Sequence, residues 1–338
     1  MTGFEKFQQK VKDGILSYMP EEYQGAMVDI VHVQKNNDQD RVGMTIRKDG
    51  QTVAATVYLE RYYAEFPEWI SEQTVFKTIA EEYVKAQAEL SQIKTMADSV
   101  KDYDSVKDSI RVQVVNKEAN QESLRHCPKK EIEGTDLLAV FRVIFYNNRG
   151  KECASALITD AIMEKWDTDV ESLYETALTN TVVQAPAQLN SMMSVFFDSE
   201  ESLAPEEVFR EEGLYILSNP QKSNGAATIL YPGLLQSIAE ATRSSFYILP
   251  SSIHEVLLVK EVNGMDTKAL QSMVMDINQN EVEPQEVLSN QVFFYDGKEQ
   301  KISLATSPEE TKELAGNMEM ASAGYGGMET ESMEEMGR

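Results

Sequence analysis

Four polar residues in one short stretch, Ser251, Ser252, His254 and Glu255, have the types a hydrolytic site needs. A hydroxyl can act as nucleophile, an imidazole can take its proton, and a carboxylate can orient the imidazole. Their spacing works against that use. In an extended chain, alternation puts Ser252 and His254 on one face and Ser251 and Glu255 on the other. Side chains two apart on a strand run parallel, which is poor geometry for a hydroxyl donating to a ring. Glu255 would have to orient His254 from the opposite face. The serine also lacks the Gly-x-Ser-x-Gly elbow that lifts a nucleophile above a sheet. A structural role for Pro250 to Ile253 at a strand entry is therefore the expectation. A hydrolase built around Ser252, His254 and Glu255 is the alternative.

Metal and phosphate chemistry have weaker signals still. His126 and Cys127 are adjacent and Cys153 stands apart, without the C-x-x-C, H-x-x-x-H or H-E-x-x-H spacings that bring ligands together. His32 lies in the strand-like run Asp29 to Val33. Asn36-Asn37-Asp38-Gln39-Asp40 comes nearest to a calcium loop but lacks its central glycine, and reads as a polar hairpin loop. Neither G-x-G-x-x-G nor G-x-x-x-x-G-K-S/T occurs. Ser223-Asn224-Gly225-Ala226-Ala227 is read as leading into a strand, which would engage its amides in a ladder. No cofactor and no metal are expected.

The elements that must position these residues follow from periodicity. Phe4, Phe7, Val11 and Ile15 predict a helix over 2 to 18. Strands are expected at 28 to 33, 43 to 47, 52 to 59, 110 to 115, 140 to 146 and 153 to 158, with turns at Asp49-Gly50 and 147 to 150. Helices are expected at 70 to 95, from a Thr159 or Asp160 cap to Trp166, and at 170 to 178. In the last third, an apolar strand from Leu214 that reaches Ser223-Asn224-Gly225 and apolar runs at 226 to 231, 246 to 249 and 256 to 259 surround a helix opened by Pro232-Gly233. An Asp266-capped helix, a short helix at 284 to 288 and a hairpin from 292 to 305 complete the pattern.

The fold class is therefore α+β, in two mixed lobes built from β-hairpins followed by helices. The lobes are drawn at 1–197 and 210–305. Between them, 198–209 is an acidic joint with helix-start signals at Ser202, Pro205, Glu206 and Glu207. Residues 306–338, rich in methionine, glycine and glutamate, have the composition of a disordered tail.

A chain of 338 residues carries 56 acidic against 31 basic side chains, a formal charge of -25. That balance repels phosphate backbones and anionic headgroups, so neither nucleic acid nor membrane is an expected partner. The start of the chain lacks the apolar segment of a secretory signal, and no long apolar run spans a bilayer. Two cysteines cannot form a disulfide framework, which suits a cytoplasmic chain. Another protein, with a neutral or basic surface, is the expected partner for a non-catalytic binding role of chaperone, immunity or regulatory type.

Three strings carry a resemblance: TIRKDGQTVAATVYLE, ITDAIMEKWDTDVESLYETALTNT, and SNGAATILYPGLLQSIAE followed by FYILPSSIHEVLLV. They resemble a family of uncharacterised bacterial proteins known as a domain of unknown function, whose members are intracellular and frequent in gut anaerobes. The likeness covers residues 1 to about 305. The middle string is also similar to a second uncharacterised bacterial family. Neither resemblance implies a reaction, a ligand or catalytic residues.

Overall fold

The computed structural model describes residues 2–49, 54–64, 70–146, 152–196, 202–210, 213–262 and 265–305. The turns expected at Gly50 and at 147 to 150, part of the acidic joint, and the tail from 306 lie outside these residues. In chain order the first elements are α1 (Gly3–Gly14), β1 (Met27–Gln34), β2 (Asp40–Arg47), β3 (Val57–Tyr58), α2 (Glu60–Ala64), α3 (Glu72–Ser99) and α4 (Tyr103–Val106). Next come β4 (Ile110–Asn116), β5 (Lys129–Glu131), β6 (Leu137–Tyr146), β7 (Glu152–Leu157), α5 (Asp160–Lys165), α6 (Val170–Gln184), β8 (Gln188–Ser191) and α7 (Met192–Phe196). The remainder is β9 (Leu214–Ser218), α8 (Leu234–Thr242), β10 (Phe246–Ser252), β11 (Glu255–Lys260), α9 (Thr267–Asn280), β12 (Phe293–Asp296) and β13 (Lys301–Leu304). The fold is α+β, with antiparallel sheets ordered β1-β2-β3, β4-β6-β5 with β7 on β6, and β13-β12-β10-β11-β9-β8.

Two compact units result. The first comprises residues 1–111, 121–128 and 142–169; the second comprises 112–120, 129–141 and 170 onward. This grouping differs from a linear division at 198–209. The chain changes unit inside β4 and β6, so residues 170–196 group with 213–262 and 265–305. A run of charge reports solvation, whereas unit membership follows strand pairing.

In the first unit, α1 starts at a capping box in which Thr2 and Glu5 satisfy each other's backbone amides. Val11, Ile15, Phe76, Ile79 and Tyr83 from the helices bury Met44, Ile46, Val57 and Leu59 from the sheet. The strand expected over 52 to 59 is confined to Val57–Tyr58 among the described residues. Where it ends, α3 takes over. The Tyr83 hydroxyl donates to the Ile46 carbonyl at 2.5 Å and accepts from the Ile46 amide at 3.2 Å. Gln87 Oε1 accepts from the Ala55 amide at 2.9 Å.

In the second unit, one face of the six-stranded sheet packs Leu249 and Leu257 against Val274 of α9 and against Val292. On the other, Phe246 stacks on Tyr295 with ring centroids 5.2 Å apart and meets Phe209 at 5.8 Å. Asp266 caps α9 through the amides of Lys268 and Ala269. The edge at β8 is occupied: the Leu203 amide donates to the Leu189 carbonyl, and the Ser202 hydroxyl accepts from the Leu189 amide. Ser202 therefore secures a sheet edge and caps no helix, and Pro205–Glu207 forms a single 3-10 turn.

Two expectations in this unit are corrected. Residues 225–230 form a 3-10 helix, not a return strand, with Gly225, Ala226, Ala227, Thr228 and Ile229 all buried. A short apolar run reads alike for a buried strand and a buried helical turn. Residues 284–288 form a turn and a β-bridge, Ser252 to Val287, where a helix was expected. Their amides pair with β10: Leu288 donates to the Ser251 carbonyl at 3.1 Å and Ser289 to the Pro250 carbonyl at 3.0 Å.

Candidate functional site

The Ser-Ser-x-His-Glu stretch sits at the tip of the β10–β11 hairpin. Ser252 pairs with Glu255, leaving Ile253 and His254 as the turn, and the register shifts between Leu249 and Ser252. Proline cannot donate to a ladder, and Pro250 falls where the register slips. His254 has left the strand, so strand alternation does not govern where its ring goes.

Most of the polar atoms of Ser252, Ile253 and His254 are bonded to or through the backbone. The Ser252 hydroxyl accepts from the His254 amide at 2.9 Å. The His254 carbonyl accepts from the Ser218 hydroxyl at 2.7 Å, and the Ile253 carbonyl from the Ala226 amide at 3.2 Å. The Ile253 amide donates to the Glu286 carbonyl at 2.8 Å. The ring itself accepts at Nδ1 from the Asn224 amide, 3.2 Å away. An acceptor Nδ1 places the ring proton on Nε2, which lies 3.5 Å from Glu286 Oε1. The His254 and Glu286 side chains are 31% and 39% exposed.

Gly225 is what lets these segments meet. A Cβ there would stand 2.2 Å from the Ser218 hydroxyl and 2.3 Å from the His254 carbonyl oxygen. Asn224 beside it adopts a left-handed conformation, φ 52°, which asparagine tolerates. The structure thus brings Ser252 and His254 together through the backbone. The hydroxyl makes no bond to the ring, and Glu255 has no side-chain partner among the described residues. Glu286 faces the ring in the place Glu255 was considered for. No spacing in the sequence marks it, because it arrives from a separate turn.

A second polar cluster in this unit had no sequence signal. Asp136 Oδ2 accepts from the Ser289 hydroxyl at 2.8 Å and from Asn116 Nδ2 at 3.0 Å. Its Oδ1 is buried without a hydrogen bond. Burial pushes the carboxyl above the ordinary aspartate value, against the pull of the Ser289 and Asn116 bonds. Ser289 also accepts from the Gln291 amide, and Asn278 of α9 donates to the Ser289 carbonyl. The cluster pins the irregular segment 286–291 to its surroundings.

The second unit also contains a pocket of about 510 Å3. Ile229, Tyr231, Leu235, Tyr295 and Ile302 line it, and Glu133, Gln236, Gln300 and Lys301 add polar groups. Gly134 lines it with φ +78°, and a Cβ there would stand 2.0 Å from the Ile302 carbonyl oxygen.

The remaining sequence candidates belong to the first unit. His32 Nδ1 lies 2.7 Å from Asp40 Oδ2 on an exposed surface of the β1–β2 pair. Cys127 is buried, with its Sγ 3.7 Å from the Ser123 carbonyl. The side chain of Cys153 lies outside the described residues. In the loop compared with a calcium site, Asp38 accepts from the amides of Glu122 and Ser123 at 3.0 and 2.9 Å. Burial raises its pKa, but those bonds outweigh it and hold the carboxyl below its ordinary value. Among the described residues no group of three or more His, Cys, Asp or Glu side chains is placed to hold a metal ion. Among them, too, no helix is long and apolar enough to cross a membrane.

Searches among curated proteins and among solved structures return no match. A family model does match, over residues 4–297, spanning both units and ending just past β12. The chain therefore belongs to the family described as Family of unknown function (DUF5688).

Proposed function

We propose that the chain is a non-catalytic binding protein of the cytoplasm whose partner is another protein. One observation carries the non-catalytic part: the Ser252 hydroxyl and the His254 Nδ1 are each taken up by a backbone amide, of His254 and of Asn224 respectively. A general base needs a free ring nitrogen within reach of the proton it removes. Here Nδ1 is engaged and Nε2 carries the proton toward Glu286.

The charge of -25 supports a partner with a neutral or basic surface, and an association weakened by added salt. Affinity capture from native lysate at low and at high salt tests this. A partner retained at low salt and released at high salt is the expected result. Recovery of none above background at either salt concentration would overturn the reading.

A hydrolase remains the second reading, because His254 and Glu286 form a partly exposed imidazole–carboxylate pair. Loss of a turnover detected in a substrate screen when His254→Ala is introduced would favour it.

A further inference from the structure

The pocket in the second unit carries an inference that goes beyond protein binding and stands independently of it. Its buried lining residues, Ile229, Tyr231, Leu235 and Tyr295, are aliphatic or aromatic. Tyr231 turns its hydroxyl away, donating to the Ala185 carbonyl at 2.5 Å, so its contribution to the lining is ring surface. Tyr295 lies stacked against Phe246, and Leu235 and Tyr295 are each only 5% exposed. The polar groups of the lining are differently placed. Glu133 and Lys301 are exposed, carry opposite charges, and make no ion pair with each other or with any described residue. Gln236 gives its amide nitrogen to Glu240, and among the described residues its carbonyl oxygen and the Gln300 side chain have no hydrogen-bond partner.

A volume of about 510 Å3 falls inside the range of roughly 300–1,000 Å3 found for small-molecule sites. A chain with this much negative charge disfavours a bare anion, and a bare cation would meet the Lys301 ammonium and leave the aliphatic and aromatic part of the lining unused. A ligand that carries one charge of each sign beside an apolar group avoids both penalties. We propose that the pocket binds a small zwitterion with an apolar side chain, a free α-amino acid or a di- or tripeptide. Glu133 receives the ammonium, Lys301 receives the carboxylate, and Tyr231, Leu235 and Tyr295 enclose the side chain. The open amide groups of Gln236 and Gln300 serve the peptide bond of the longer ligands.

Isothermal titration of the full chain tests this with leucine, phenylalanine and leucyl-leucine as probes, each beside its N-acetyl and C-amide forms. The expected result is binding of the zwitterions, with capping of either end weakening it about tenfold or more. Glu133→Gln should erase the discrimination against the N-acetyl form, and Lys301→Ala that against the amide. Both positions are exposed, and circular dichroism checks that the variants fold. The amino-acid and dipeptide arms tell the two ligand sizes apart. Absence of binding by any zwitterion at millimolar concentration would overturn the proposal. So would equal affinity for capped and uncapped forms, or unaltered discrimination in the two variants.

Discussion

The two units hold a sheet together with side chains where the backbone runs out of partners, and they do it at opposite ends of the burial scale. In the first, β3 begins only at Val57, opposite Met44, and beyond that end Tyr83 from α3 supplies both a donor and an acceptor to Ile46. That ring is fully buried. In the second, the Ser218 hydroxyl ties the β10–β11 tip to β9, the Ser252 hydroxyl bonds within the tip, and the His254 ring meets the Asn224 amide and Glu286 while it remains about a third exposed. Where water is excluded, a lost partner leaves an unsatisfied group at full cost; where water reaches, it takes the partner's place. Solvent access sets what each bond is worth, more than the residue type does.

Substitution at Gly225 breaks this comparison most severely, because there the second unit is limited by space and not by hydrogen bonding. Gly225→Ala drives a methyl into the Ser218 hydroxyl and the His254 carbonyl. A loss of about 3 kcal/mol is expected, read from the denaturant midpoint. Tyr83→Phe comes next. It strands the amide and carbonyl of Ile46 in a dry core and should cost about 2 kcal/mol by the same measurement.

Asp136 sharpens the comparison through pH. Its carboxyl is raised above the ordinary value of 3.8 by burial, so the folded state holds the proton more tightly than the unfolded state. Unfolding then releases a proton. The stability this contributes is complete below the unfolded value and is lost as pH rises through the raised folded value. Wild type should therefore lose stability relative to Asp136→Asn as pH climbs from about 3.8 upward. A stability difference between the two that does not change over that window would contradict the assignment. Ser252→Ala is expected to have the smallest effect, about 1 kcal/mol, since the amide it frees lies at a partly exposed tip.

What the sequence disclosed was local. The helix over 2 to 18, the Thr159 cap of α5 and the Asp266 cap of α9 are each signalled within a turn or two of chain. The Pro-Ser-Ser-x-His-Glu stretch was legible as an entry between strands. The path of its ring was not, because a two-residue turn removes His254 from the alternation that the flanking strands obey. Residues 225–230 misled for a related reason: a buried 3-10 turn and a buried strand are both continuous apolar runs. Glu286 facing His254, and Ser289 on Asp136, are meetings of residues far apart in the chain. Such meetings leave no periodicity or spacing to read.

The central claim is that the His254 ring braces the hairpin by accepting the Asn224 amide. Nitrogen-15 NMR of the imidazole tests it most directly. The structure predicts a neutral ring protonated on Nε2, with Nδ1 shifted as a hydrogen-bond acceptor coupled to the Asn224 amide. A ring protonated on Nδ1, with Nε2 accepting from a hydroxyl, would contradict it and restore His254 as a base.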